Sequence, residues 1–226
     1  MASSGQRTGV SSAVMELTQE PHPLLDARVF VTRFQPNLDS FAKRTPLADP
    51  PESPWPPPDD ALRARIRDLL RHAGWKPTGR AKPASEYLVR ARNEGGLRPI
   101  NYAVDVCNIV SLYSGLPISV VDLDLLATPV SIGVAPPGSS YIFNPAGQTI
   151  DVGNLICLQD QHGPCANAVK DAQRTKTSDQ TCSTLTVIWS HRELSDYTTD
   201  VLAFYQQLLA GAGGIEIDNV SLSSEA

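Results

Sequence analysis

Between Thr45 and Pro58, seven of fourteen residues are proline. Each proline fixes φ and removes a backbone donor, so the stretch can be neither a helix nor a central strand. An extended surface strap is the expected form. It divides the chain into a short N-terminal segment and a longer part that must supply most of the core. Hydrophobic residues make up 41% of the 226, and charged residues 19%. That is enough apolar surface for one large folded domain. Residues 1–20 read as a flexible leader, 21–220 as a single domain carrying the strap at 45–58, and 221–226 as a tail.

Three helices are expected after the strap. Asp59 and Asp60 offer an N-cap for the first, which runs to about Ala73 and stops at Gly74. Leu62, Ile66, Leu69, Leu70 and Ala73 form its apolar stripe, with Arg63, Arg67 and Arg71 on the solvated side. A basic loop, Trp75 to Pro83, leads to a second helix from Ala84 to Asn93, with Glu86 and Arg90 at i, i+4 and Gly95–Gly96 as the stop. Pro99 opens the third, which ends at Gly115–Leu116–Pro117. Ala103, Val104, Val106, Cys107, Ile109, Val110 and Leu112 leave little of its circumference polar, so it should be buried on most sides. Asn101, Asp105 and Asn108 nevertheless form one polar line at i, i+4, i+7. Buried amides and carboxylates need partners, so this line either bonds neighbouring loops or faces a cavity.

Short strands dominate the rest. Ile118–Leu123, Val130–Ala135, Tyr141–Asn144, Thr149–Val152, Leu155–Gln159 and Thr184–Trp189 are separated by turn sequences such as PPGS and NPAG. A helix from Ser195 to Leu209 and a last strand at Ile215–Ile217 follow, and Leu24–Phe34 reads as a strand before the strap. Helices first and strands after them define an α+β domain.

The charge distribution is uneven. Residues 61–98 hold ten basic residues against Asp68, Glu86 and Glu94, whereas 99–160 hold five aspartates and no Lys or Arg. A basic segment inside a chain of net charge −5 is either an electrostatic footprint for phosphates or a set of solvated helix faces. Phosphate-loop, dinucleotide, nucleophile-elbow and zincin motifs are absent, which removes support for those chemistries. Cys107, Cys157, Cys165 and Cys182 show no CxxC, and the four histidines show no ligand spacing, so no metal or cofactor is expected. The sequence has no membrane-length apolar run and no signal-like N-terminus, which leads to the expectation of a reduced cytoplasmic protein.

One run is specific. Arg98–Pro99–Ile100–Asn101, Val104–Asp105, Asn108, Gly115–Leu116–Pro117 and Asp122–Leu123–Asp124 together resemble the RPINN-x-VD-x-x-N…GQP…FDLD stretch of the phenylalanyl-tRNA synthetase beta subunit, in its editing (B3/B4, tRNA-binding) domain. The segment DQHGPCANAV after the strand at Leu155 is similar to that domain's D-x-x-G-P-x-A-L-A-G hairpin. The resemblance runs from about Trp75 to Trp189 and implies a single three-layer mixed domain. It also implies a pocket that hydrolyses the ester of a mischarged tRNA in trans, at the tRNA 3′ aminoacyl end. Asn108 matches a pocket asparagine, Cys107 stands for a threonine, and Ser119 for a histidine. Ala168 and Val169 fall at a small Ala-Gly pair. The pocket glutamate has no counterpart, because Ile188, Trp189 and Ser190 occupy its region.

An aminoacyl ester is already activated, so such a site needs only to place a water and stabilise an oxyanion. Asn108 and Asp105 are then the candidate catalytic groups. Asn101, Cys107, Ser119, Ala168, Val169, Lys170 and Asp171 are the candidate substrate contacts, with Cys107 as pocket wall. Arg80, Lys82, Arg90, Arg98, Arg174 and Lys176 are the candidate tRNA contacts. A non-catalytic tRNA- or RNA-binding module of the same fold, and a hydrolase of small amino-acid esters or amides, are the competing readings.

Overall fold

A computed structural model of the chain describes residues 17–34, 46–211 and 213–224. Two sheets stack face to face, and helices cover the outer side of one of them. The covered sheet comprises β2 (Leu25–Phe34), β3 (Ile118–Asp122), β9 (Ser183–His191) and β10 (Ile215–Asn219). Its order is β10-β2-β9-β3, with every pairing antiparallel. The second sheet has the order β11-β1-β4-β7-β8. These strands are β1 (Leu17–Gln19), β4 (Val130–Val134), β7 (Ile156–Asp160), β8 (Gly163–Asn167) and β11 (Leu222–Ser224). A separate hairpin pairs β5 (Ser140–Ile142) with β6 (Thr149–Asp151).

Period-two alternation in β2 sets the layering. Leu25, Ala27, Val29 and Val31 join Leu185, Val187 and Trp189 of β9 in the core between the sheets. Phe30 and Phe34 face the other way, with Ile188, onto the helices. The register Val29↔Val187 matches both faces at once, and a one-residue slip would exchange them. The fold is α+β in three layers.

The helices among the described residues are α1 (Asp60–Arg71), α2 (Ala84–Asn93), α3 (Tyr102–Ser114) and α4 (Ser195–Ala210). Asp59 caps α1, its Oδ1 accepting from the Leu62 N–H at 2.8 Å. Helix α3 is buried on two sides, with Val106 and Val110 against the sheet and Ile109, Leu112 and Tyr113 toward α2. It ends at Gly115, whose φ of +73° is left-handed and whose missing Cβ would lie 2.7 Å from Pro58. Gly115→Ala therefore meets backbone strain and a clash together. We expect it to cost more than about 1 kcal/mol, read as a lowered Tm.

Three expectations need correction. Leu17–Gln19, placed in the leader, is a strand between β4 and β11, and Leu222–Ser224, placed in the tail, is its neighbour. Leu17 is wholly buried there, and a three-residue strand is too short to show alternation. Glu86 pairs across helices with Arg67, through two bonds of 2.7 and 2.6 Å, while Arg90 turns to Glu94. A two-pronged guanidinium–carboxylate contact in a half-buried crevice is stronger than a pair along an exposed helix.

Thr45 lies outside the described residues. Residues 46–58 form neither helix nor strand and cross α3 and α4. Tyr113 donates to the Pro51 carbonyl at 2.8 Å, and Trp55 sits edge-on to Tyr197 and Phe204.

Candidate functional site

Most of the polar line on α3 is spent on the start of its own helix. Asn101 is the N-cap: its Oδ1 accepts from the Val104 N–H at 3.0 Å, and its Nδ2 donates to Thr177 Oγ1 at 3.1 Å. Asp105 is fully buried, with Oδ1 accepting from the Ile100 N–H at 2.8 Å. Burial raises its pKa, and its second oxygen has no partner. The first turn of a helix leaves N–H groups that need acceptors, which accounts for Asn101, while Asp105 reaches back to the N–H just before the cap. Asn101 is occupied as the cap, and one oxygen of Asp105 is occupied by the Ile100 N–H. Asn108 is half-buried and lines neither of the cavities described below.

The other matched positions do converge. Ser119 points between the sheets from β3, and its hydroxyl donates to Asp171 Oδ1 at 2.8 Å. It accepts from Trp189 Nε1 at 2.9 Å. The same Asp171 oxygen takes the Asn167 N–H at 3.1 Å. Asn167, at the end of β8, organises the turn that follows, because its Oδ1 accepts from the Val169 and Lys170 N–H groups at 2.8 and 3.0 Å. Its Nδ2 donates to Tyr141, whose hydroxyl donates on to the Lys170 carbonyl.

Burial pushes the Asp171 carboxyl up to about 6, against the lowering effects of Ser119, the Asn167 N–H and Lys176. Burial, reinforced by the charge of Asp171, also pushes the Cys107 thiol up to about 12. Cys107 is thus a protonated wall residue, its Sγ 3.7 Å from the Ile118 carbonyl, and no thiolate nucleophile forms near neutral pH. Asp171 is half-buried, and the residues around it are closed off. Ser119 is 1% exposed, Val169 3%, and Ala168 and Trp189 0%. The indole of Trp189 fills the space beside Ser119.

On the far side of Lys170 lies an open cavity of about 630 Å³, between the loop carrying Trp75, Thr78, Arg80 and Ala81 and the β5–β6 hairpin. Phe143, Gln148, Thr149, Ile150 and Asp151 supply the hairpin wall. Lys170 Nζ stands 4.2 Å above the Phe143 ring. Burial lowers its pKa, and the charges of Arg80 and Lys176 lower it further. A smaller cavity of about 200 Å³, bounded by Leu47, Pro50, Arg92, Leu97, Ile109 and Tyr113, lies under the strap.

The cations divide sharply. Arg63, Arg65, Arg67, Arg71 and Arg90 each meet a carboxylate. Lys76, Arg80, Lys82, Arg92 and Arg98 meet none within ion-pair distance among the described residues. Of the candidate tRNA contacts, Arg80 alone lines the large cavity; Lys82 follows its loop, and Arg90 and Arg98 are exposed. Arg174 is engaged internally, its guanidinium gripping both oxygens of buried Asp160 at 2.7 Å. Lys176 donates to the Phe143 carbonyl at 2.6 Å. Asn167, Tyr141, Trp75 and Phe143 escape a reading of the sequence, because no spacing marks a residue whose role depends on another strand.

Among the described residues, no helix is long and apolar enough to cross a membrane, and no group of three or more His, Cys, Asp and Glu side chains is placed to hold a metal ion.

No curated protein matches the chain by sequence. Among solved structures, it is similar to an N-terminal fragment of the phenylalanyl-tRNA synthetase beta subunit from Pyrococcus horikoshii, at a TM-score of 0.51 and 8% identity. The alignment covers 93% of this chain and 52% of that one, so the chain spans about half the fragment's length. At that identity the likeness is one of fold. The family described as the B3/4 domain matches residues 75–193, which is more than half of the sequence and includes the hairpin, the Ser119–Asp171 cluster and both walls of the large cavity. The chain belongs to the B3/4 domain family.

Proposed function

We propose that this chain binds the 3′ aminoacyl end of tRNA through its B3/4 domain. The observation that carries this reading is the open cavity in which Arg80 and Lys170 stand beside Trp75 and Phe143 without a carboxylate partner among the described residues. Cations next to aromatic faces suit a single-stranded, phosphate-bearing end. Binding without hydrolysis suits the burial of Ser119, Ala168 and Val169, with Ser119 bonded to the buried Trp189 indole.

Trans hydrolysis of a mischarged tRNA is the second reading, favoured by Asp171 lying next in sequence to Lys170 on the cavity wall. In that reaction the Asp171 carboxylate takes a proton from water, whose oxygen bonds to the ester carbonyl carbon. The bond to the tRNA ribose oxygen then breaks, and that oxygen accepts the proton. Since the carboxyl titrates at about 6, hydrolysis should rise with pH through that value and vanish in Asp171→Asn.

The experiment is filter binding of charged and uncharged tRNA across a salt series, with a panel of mischarged tRNAs scored for deacylation. Reversing Arg80 and Lys170 to Glu should weaken binding at least 10-fold and flatten the salt dependence by about two contacts. Binding that is unchanged in magnitude and slope would sink the reading. Turnover of one mischarged tRNA by the wild type, lost in Asp171→Asn, would move the assignment to the hydrolase.

Asp171 also sets a stability signature. Its folded pKa lies above the 3.8 of a free aspartate, so the native state binds the proton more tightly. Its contribution is fully present below pH 3.8 and is lost as pH rises through about 6. Asp171→Asn should remove that fall from the unfolding free energy measured by urea titration between pH 4 and 7. An identical wild-type and variant profile would contradict the raised carboxyl.

A further inference from the structure

The wall shared by Arg80 and Lys170 differs in charge from the paired faces of the first two helices. On α1 and α2 the guanidinium groups of Arg63, Arg67, Arg71 and Arg90 are matched by carboxylates. Here two cations face one concavity, and the single carboxylate in its lining, Asp151, is partly engaged by the Gly153 N–H at 2.8 Å. Lys170 is also held in place. Its N–H is bound by Asn167, its carbonyl accepts from Tyr141, and its ammonium stacks on Phe143. Uncompensated cations fixed at a concave wall focus the field on an anion. The aromatic side of Trp75 lies in the same cavity, and the volume falls within the range of about 300–1,000 Å³ typical of small-ligand sites.

We propose that this cavity binds a 5′-phosphorylated ribonucleotide, with the phosphate between Arg80 and Lys170, the base against Trp75 and the ribose hydroxyls toward Asp151. Two sources carry this chemistry: a free mononucleotide and a terminal unit of single-stranded RNA. The inference shares its cavity with the function proposed above but goes beyond it, since it does not require tRNA as the source.

Calorimetric titration of the full chain with adenosine 5′-monophosphate, adenosine and a short unstructured RNA tests the site. The monophosphate should bind at least 10-fold more tightly than adenosine. Arg80→Ala and Lys170→Gln should each lose at least 10-fold, whereas Arg63→Ala, on the Asp60-paired surface of α1, should stay within two-fold. RNA binding more tightly than the monophosphate identifies RNA as the source, and the reverse order identifies the free nucleotide; either supports the site. Equal binding of adenosine and its monophosphate, or unchanged affinity in both cation variants, overturns it. If the wild type binds tRNA and both cation variants lose that binding while no monophosphate binds, the nucleotide site fails and tRNA recognition stands. If the monophosphate binds and tRNA does not, the reverse holds.

Discussion

Trp189→Ala is expected to lower the unfolding free energy by about 3–5 kcal/mol, more than any other single change considered. The indole is wholly buried between the sheets and donates to Ser119, so truncation leaves a cavity and removes a hydrogen-bond donor. Two variants separate these costs. Trp189→Phe keeps most of the volume and loses the Nε1 donor, and should cost about 1–3 kcal/mol. Urea unfolding of both proteins checks the order. An alanine variant as stable as the wild type would mean that neighbouring side chains collapse into the space and that Trp189 does not hold the cluster closed. The same variant bears on chemistry: if it gains deacylation of a mischarged tRNA while remaining folded, the indole is the seal over the Ser119–Asp171 pair.

The second large effect concerns Arg174. Asp160 has no side-chain exposure, and both its oxygens are gripped by the Arg174 fork. Burial by itself would raise the Asp160 pKa, but Arg174 and the Ala127 and His162 N–H groups outweigh it, so the net shift is downward. Arg174→Ala strands a buried carboxylate, and breaking such a pair from one side costs about 3–5 kcal/mol. We expect the low end, about 3 kcal/mol, because Arg174 keeps 33% of its side-chain exposure and the two N–H donors remain. The pH dependence follows from the sign. A lowered folded pKa contributes stability that is present above 3.8 and lost as pH falls through the folded value. In Arg174→Ala the acid limb of a thermal melt series should flatten, with the largest loss near neutral pH. A variant equally stable at pH 7 would show that the ion pair only offsets its own desolvation.

Much of the architecture is legible in the sequence because it rests on local rules. Alternation in Leu24–Phe34, the capping aspartate at 59 and the left-handed glycine at 115 act over a few residues, and each marks an element that the structure contains. The motif run from Arg98 to Asp124 carries the family, and the hairpin after β7 supports it. Charge was harder to read. A sum over residues 61–98 counts ten cations, yet five of them are neutralised, and Arg65 and Arg67 are paired across elements with Glu193 and Glu86.

The sequence by itself determined the α+β class, the three helices and the short strands that follow the proline-rich segment, that segment's lack of helix and strand, and the family. These follow from periodicity, proline stereochemistry and a motif, all written along the chain. Only the tertiary structure decided which polar residues are free to act. Asn101 is taken by the first turn of α3, one oxygen of Asp105 by the Ile100 N–H, and Arg174 by Asp160 at 14 residues' separation. Ser119 meets Asp171 across 52 residues and Trp189 across 70. A carboxylate or guanidinium takes whichever partner desolvation leaves within reach, and that is set by packing between strands rather than by spacing along the chain.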